Sequence, residues 1–188
     1  MDNLTIRPMT NADVPQLMGM DHSSTTDHVW QLDLRRDART PLISAQFREV
    51  RLPRPVRLAY PNDPFALADE WKRKAMVWLA ENPSGAVGYI GVTEPRPGVA
   101  WITDLAVAPA WRRKGIAASL LATLHKWCGE RQIQRIFMEM QSKNHPAITL
   151  AQKSDYEFCG YNDRYYSNQD IMLVFVRARQ QGRTQQEQ

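Results

Sequence analysis

Arg112, Arg113, Lys114, Gly115, Ile116 and Ala117 follow an apolar run that closes at Pro109, and they lead straight into a stretch of helical periodicity. Backbone N–H groups at a helix start have no intrahelical acceptor, and the positive end of the helix dipole adds to their pull on an anion. Residue types and order therefore describe a phosphate cradle, with Gly115 admitting a ligand close to the backbone and Ala117 keeping the next turn thin. Proton chemistry has two further candidates. Asp104 and Glu139 are each the lone acid in a strand of otherwise apolar or small residues, where a charge must be paired, hydrated or functional. His125 and Cys128 share a helix face at three-residue spacing, but without a second pair no metal site is expected, and Cys128 falls on the apolar stripe.

These residues need a strand, a turn and a helix to hold them. Residues 99–107 read as a strand, and the helix after Gly115 carries Ile116, Leu120, Leu124, Trp127 and Cys128 at three- and four-residue spacing. Residues 136–140 form the next strand, returning parallel to 99–107 by a crossover. Upstream, 75–81 and 87–94 are strands joined by the turn Asn82-Pro83-Ser84-Gly85, so a meander of three antiparallel strands precedes the basic loop. Residues 4–7 suggest a short strand, and Thr10 with Asp13 a capped helix to about Met20. Between 21 and 57, strand-like pieces at 29–34 and 47–52 are broken by charges and by Pro53 and Pro55, which predicts one helix or a lid-like loop there. A polar helix is predicted over 65–74, a short helix over 146–153, and strands near 158–160 and 171–176.

With 188 residues and 43% hydrophobic residues, the chain suits one domain, taken as residues 1–179, followed by a frayed polar tail at 180–188. The net charge of +4 is a mild basic excess that does not call for nucleic acid; a polyphosphate ligand accounts for it equally well. Cys128 and Cys159 form no Cys-x-x-Cys pair, no apolar run reaches membrane-spanning length, and the start MDNLTIRPMT lacks signal-peptide character, so a cytoplasmic protein with no membrane partner is expected. Exposed strand edges near the C terminus are compatible with a homodimer.

Arg112, Gly115 and Ala117, placed between a strand and a long helix, resemble the signature of the GNAT superfamily of acetyl-CoA-dependent N-acetyltransferases. The run Asp104-Leu105-Ala106-Val107-Ala108-Pro109 resembles the strand entering that loop, and Asn144, Ala147 and Leu150 resemble the family's later Asn-x-x-Ala-x-x-Leu helix. The resemblance covers about residues 87–161 and implies an α/β (α+β) fold. That fold has a mostly antiparallel central sheet flanked by helices and a splayed parallel pair at the acetyl-CoA site. It also implies that the N–H groups of Arg113, Lys114, Gly115, Ile116 and Ala117 hold a pyrophosphate, with Arg112 and Lys114 screening its charge. Leu105, Ala106 and Val107 would bond the pantetheine arm as an added strand, and Asn144 would contact the arm or cap the later helix.

Several positions depart from the family pattern. Many relatives carry an acid where this chain has Thr103, and strand alternation predicts Thr103 and Asp104 on opposite faces. The family's general-acid tyrosine is replaced by Ala151, so either the thiolate leaves without a side-chain acid or Tyr156, Tyr165 or Tyr166 supplies the proton. His22 and His28 lie among Asp21, Asp27 and Asp33, a local acidity that fits either a solvated loop or a site for a cationic amine. The expected activity is direct acetyl transfer to a small cationic amine, with Asp104, Glu139 and Tyr156 as the catalytic candidates. The alternatives are a non-catalytic acyl-CoA-binding module, a protein amine as acceptor and, more remotely, a nucleic-acid binder using Arg112–Lys114.

Overall fold

The computed structural model describes residues 4–36, 39 and 43–179. Among these residues nine strands form two sheets, and the tail at 180–188 lies outside the described residues. The main sheet holds β1 (Thr5–Pro8), β4 (Met76–Asn82), β5 (Gly85–Arg96), β6 (Val99–Val107), β7 (Arg135–Gln141), β8 (Glu157–Asn162) and β9 (Met172–Ala178), in the spatial order β1-β4-β5-β6-β7-β9-β8. Every neighbouring pair is antiparallel except β6 and β7. The helices are α1 (Val14–Met18), α2 (Leu67–Glu70), α3 (Ile116–Glu130) and α4 (His145–Lys153). This is the mixed α/β architecture the sequence predicts.

The apolar stripe of α3 explains its place. Ile116, Leu120, Leu121, Leu124 and Cys128 are buried against Trp78, Ile90, Val92, Ile102 and Ile136 of the sheet. On the other face a second cluster of Met9, Val14, Leu17, Leu67, Leu79 and Tyr89 seats α1 and α2. Burying such side chains contributes roughly 1.5–3 kcal/mol each, which holds β5 and β6 rigid between the two clusters.

Residues 21–57 differ from expectation: no helix or lid-like loop forms among those described. They build an antiparallel ribbon of β2 (Ser24–Arg36) and β3 (Ile43–Leu58). Pro53 and Pro55 fit because pairing jumps from Thr26↔Val56 to His28↔Arg51, leaving 52–55 outside the ladder, where a missing N–H costs nothing. The ribbon is fastened to the body by Trp30, whose N–H donates to Ser142 O at 2.8 Å. Its apolar face also packs Phe47 edge-on against Phe158 and Tyr161, with ring centres 5.3 Å apart in each pair.

Two predicted helices are shorter than their patterns suggest. After Thr10 a 3₁₀ turn (Asn11–Asp13) precedes the five-residue α1, which has Pro15 in its first turn and stops at Gly19. Residues 64–73 break into a 3₁₀ turn (Pro64–Ala66), the single turn of α2 and a second 3₁₀ turn (Trp71–Arg73). Both segments stay short because they only cap a sheet face through a few apolar side chains.

Candidate active site

The parallel pairing of β6 with β7 runs from Val99↔Arg135 to Ile102↔Met138 and then ends, although β6 continues to Val107 and β7 to Gln141. Beyond Ile102 the two strands therefore splay. Leu105, Ala106 and Val107 remain paired to β5 through Ile90, Tyr89 and Gly88, so only their edge toward the gap is unpartnered.

At the far end of β6 the chain turns through Pro109–Trp111 into the basic loop. Arg113 and Gly115 both adopt left-handed backbone, with φ of 60° and 81°. Such alternation points successive N–H groups the same way, and those of residues 113–118 meet no acceptor among the described residues. A Cβ built on Gly115 would meet nothing within 4 Å, so open space lies before this row. Ile116, only 3% exposed, anchors the helix start, while Ala117 is half-buried.

Two side chains of the loop make contacts within the protein. Arg112 turns back on the protein: its Nε donates to Val107 O at 2.8 Å and its Nη2 to Asp21 O at 3.2 Å. It braces the loop against the end of β6. Lys114 lies with Nζ 4.4 Å from the ring centre of Trp111. Asn144 caps α4, its Oδ1 accepting from Ala147 N at 3.3 Å, with Pro146 in the first turn.

The apex of the splay opens into a groove of ≈ 580 Å³, lined among others by Asp63, Glu70, Lys74, Trp101, Thr103, Asp104, Glu139 and Tyr165. Here strand alternation fails. β5 steps from Gly91 to Val92 while β6 steps from Asp104 to Ile102, so Thr103 is the extra residue of a bulge. Thr103 and Asp104 consequently both line the groove, and Thr103 Oγ1 donates to Asp104 Oδ2 at 2.9 Å. The expectation of opposite faces is corrected by that one inserted residue.

Asp104 is fully engaged. Its Oδ1 accepts from the Tyr60 hydroxyl at 2.8 Å, and its Oδ2 accepts from Thr103 and from Lys74 Nζ, the latter at 2.8 Å. The Lys74 and Asp104 side chains are 7% and 11% exposed, a nearly buried ion pair. Glu139 is differently placed. Among the described residues it accepts only from Trp101 Nε1 at 3.2 Å and the Tyr165 hydroxyl at 3.3 Å, both long, and burial pushes its carboxyl above the ordinary range. His22 closes the far side of this cluster. Its Nδ1 faces Met20 O at 2.7 Å and its Nε2 faces the Tyr89 hydroxyl at 3.1 Å, and burial lowers its pKa. The neutral ring donates from Nδ1 and accepts from Tyr89. His28 stands apart, on Asp27 at 2.8 Å and beside His145.

Tyr156 is a correction. It is 3% exposed and its hydroxyl meets His125 Nε2 at 2.9 Å beneath α3, away from the groove. Burial lowers His125 to about 4 and raises Tyr156, so this is a neutral structural pair. Tyr166 does not line the groove either; Tyr165 does, half-exposed. Burial pushes the Cys128 thiol up to about 12, leaving it inert. Among the described residues no cluster of metal-ligating side chains occurs, and no helix is long and apolar enough to cross a membrane. Tyr60, Lys74 and Trp101 are the site residues that sequence reasoning missed. Nothing in their local context marks them, since Tyr60 and Lys74 reach β6 from 44 and 29 residues away.

Comparison with known proteins agrees with this geometry. Streptothricin acetyltransferase of Streptomyces lavendulae is 26% identical over 164 residues, covering 82% of this chain and 82% of that protein. Among solved structures, a nourseothricin acetyltransferase superposes with a TM-score of 0.77 at 21% identity, covering 93% of this chain and 98% of the other. A Bacillus anthracis str. Ames protein assigned as a streptothricin acetyltransferase, solved with acetyl coenzyme A, superposes with a TM-score of 0.75 at 19% identity over 94% and 98% of the two chains. The model of the Acetyltransferase (GNAT) family matches residues 41–156. The splayed strands and the basic helix start fall inside that match, and the chain belongs to the GNAT acetyltransferase family.

Proposed function

We propose that this protein is an N-acetyltransferase that moves an acetyl group from acetyl-CoA directly to the amine of a small, cationic acceptor. One observation carries the reading: the unpartnered N–H row at α3 and the unpartnered edge of β6 lead to the same point as a carboxylate-lined groove. Acetyl-CoA would supply an activated acetyl thioester. The N–H groups of residues 113–117 would hold its pyrophosphate, and the edge of Leu105, Ala106 and Val107 would bond its arm.

The groove supports an ammonium-bearing acceptor. With Asp104 neutralised by Lys74, Asp63, Glu70 and Glu139 outnumber Arg73, and Trp101 and Tyr165 add aromatic faces for a cation. Glu139 is the group placed to take the proton from that ammonium. Its raised pKa brings it nearer to neutral, and neither of its hydrogen bonds is short. Asp104, with both oxygens committed, holds the cluster together.

The test is turnover with labelled acetyl-CoA across propylamine, 1,5-diaminopentane, spermidine, streptothricin and a lysine-ended peptide. Acetylated product is expected, with kcat/KM rising with acceptor charge and falling with salt. Binding of acetyl-CoA without any product would favour the non-catalytic module. A preference for the peptide would move the acceptor to protein amines.

A further inference from the structure

Resting on the acetyl-transfer reading, we propose that Lys74 is the cation that stabilises the departing thiolate of coenzyme A, in the place of a tyrosine acid. The position of the sulfur follows from the strands. The diphosphate end belongs at the helix start beyond Val107, and the arm runs back along β6 toward the last paired residue, Ile102. From Val107 to Thr103 is four residues, or about 13 Å at ~3.3 Å each, which brings the thioester end to Thr103. Lys74 Nζ lies 2.9 Å from Thr103 Oγ1 and 2.8 Å from Asp104 Oδ2, at that apex.

The other candidates are committed elsewhere. Ala151 has no hydroxyl, Tyr156 is spent on His125 beneath α3, and Tyr165 donates to Glu139. An ammonium has three donors; on Lys74 Thr103 and Asp104 take two, and the third meets no acceptor among the described residues. Gly91 makes room for this arrangement. A Cβ there would lie 3.1 Å from Lys74 Cδ and 3.0 Å from Asp104 Oδ2.

The chemistry balances without a proton from Lys74. Lys74 acts as the charged partner of Asp104 throughout, and no proton passes from it to sulfur. Glu139 first takes the ammonium's proton and passes it to solvent; the amine–carbon bond then forms, the carbon–sulfur bond breaks, Glu139 receives the second nitrogen-bound proton, and sulfur leaves as an anion paired with Lys74. Glu139 later returns its proton to solvent. A fixed cation whose side chain is only 7% exposed stabilises such charge more than a water-exposed lysine would.

The experiment reads binding before activity. Affinities of the wild type, Lys74→Met and Lys74→Arg for free coenzyme A and for desulfo-coenzyme A are measured from pH 6 to 9. In the wild type and Lys74→Arg the thiol compound should gain about tenfold over the desulfo compound as pH rises, below the ordinary thiol range near ~8.5. In Lys74→Met the ratio should stay flat. Kinetically, Lys74→Met should lower kcat about 100-fold with unchanged acetyl-CoA affinity, and the deficit should shrink severalfold with an acetyl thioester of a more acidic thiol. Should Lys74→Met not fold because it strands Asp104, the double variant Lys74→Met/Asp104→Asn carries the same measurement. A pH-dependent ratio that survives loss of the cation overturns the proposal while leaving acetyl transfer intact. Absence of any turnover by the wild type overturns both.

Discussion

Two carboxylates in neighbouring strands of one sheet have opposite circumstances. Asp104 accepts from Tyr60, Thr103 and Lys74, whereas Glu139 is held by two long bonds from neutral donors. Burial raises Glu139, so between its unfolded and folded pKa values the folded state binds the extra proton, and stability falls as pH rises through that window. Glu139→Gln removes a half-buried charge and should leave the melting temperature equal or higher at pH 7. It should nonetheless lower kcat/KM by about 10²–10⁴-fold. The acidic limb of the pH–rate profile, which the wild type should show above the ordinary carboxylate range, should vanish in this variant. A melting temperature that drops along with activity would make Glu139 structural.

At the scale of elements, the junction of β6 with α3 combines a strand edge left open by the splay with a helix start left open by two left-handed residues. Gly115→Val tests it, because a branched residue at φ 81° is strained by roughly 1–3 kcal/mol and its side chain enters the space before the N–H row. Coenzyme A affinity by calorimetry should fall more than about tenfold, beyond what the lost stability explains. Gly129→Ala in the same helix, where an added Cβ also meets nothing within 4 Å, should bind normally and gain about 0.5–1 kcal/mol. The β2–β3 ribbon is the other element of consequence. It hangs on Trp30 and Phe47 against Phe158, Phe175 and Tyr161, which fixes the segment whose start carries His22 and whose end leads to Tyr60.

Over the whole molecule, the N-terminal strand is tied to the sheet by charge. Arg7 bridges Asp13 and Glu81 at 2.8 Å each, and this holds the Asp13 carboxyl far below the usual range. A carboxyl depressed in the folded state contributes stability that is present above its unfolded pKa and is lost as pH falls toward the folded value. Asp13→Asn should therefore cost about 1 kcal/mol in denaturant unfolding at pH 7, a modest figure because the Arg7 side chain is 33% exposed. The gap to wild type should close as pH falls below about 4, toward the depressed value. An unchanged gap at low pH would mean that the substitution acts on packing or on the Thr10 cap.

Local order in the sequence is enough to mark the basic, glycine-containing start of α3, the apolar stripe that seats it, the meander before it and the parallel return after it. An anion site at a helix start would need only consecutive backbone groups, so residues 112–117 are legible as a run. Tertiary structure alone decided the chemistry at the apex. Asp104 and Glu139 are both visible as lone acids, but which one is free depends on Lys74 and Tyr60 arriving from distant segments. Thr103 joins them only because β6 carries one residue more than β5, a mismatch that no single-strand pattern reveals. Tyr156 failed as a candidate for the same reason, since burial beside His125 is a property of packing rather than of spacing. The ribbon of residues 24–58 was obscured by Pro53 and Pro55, whose cost depends on which strand edge faces a partner, and that is settled only when the partner is in place.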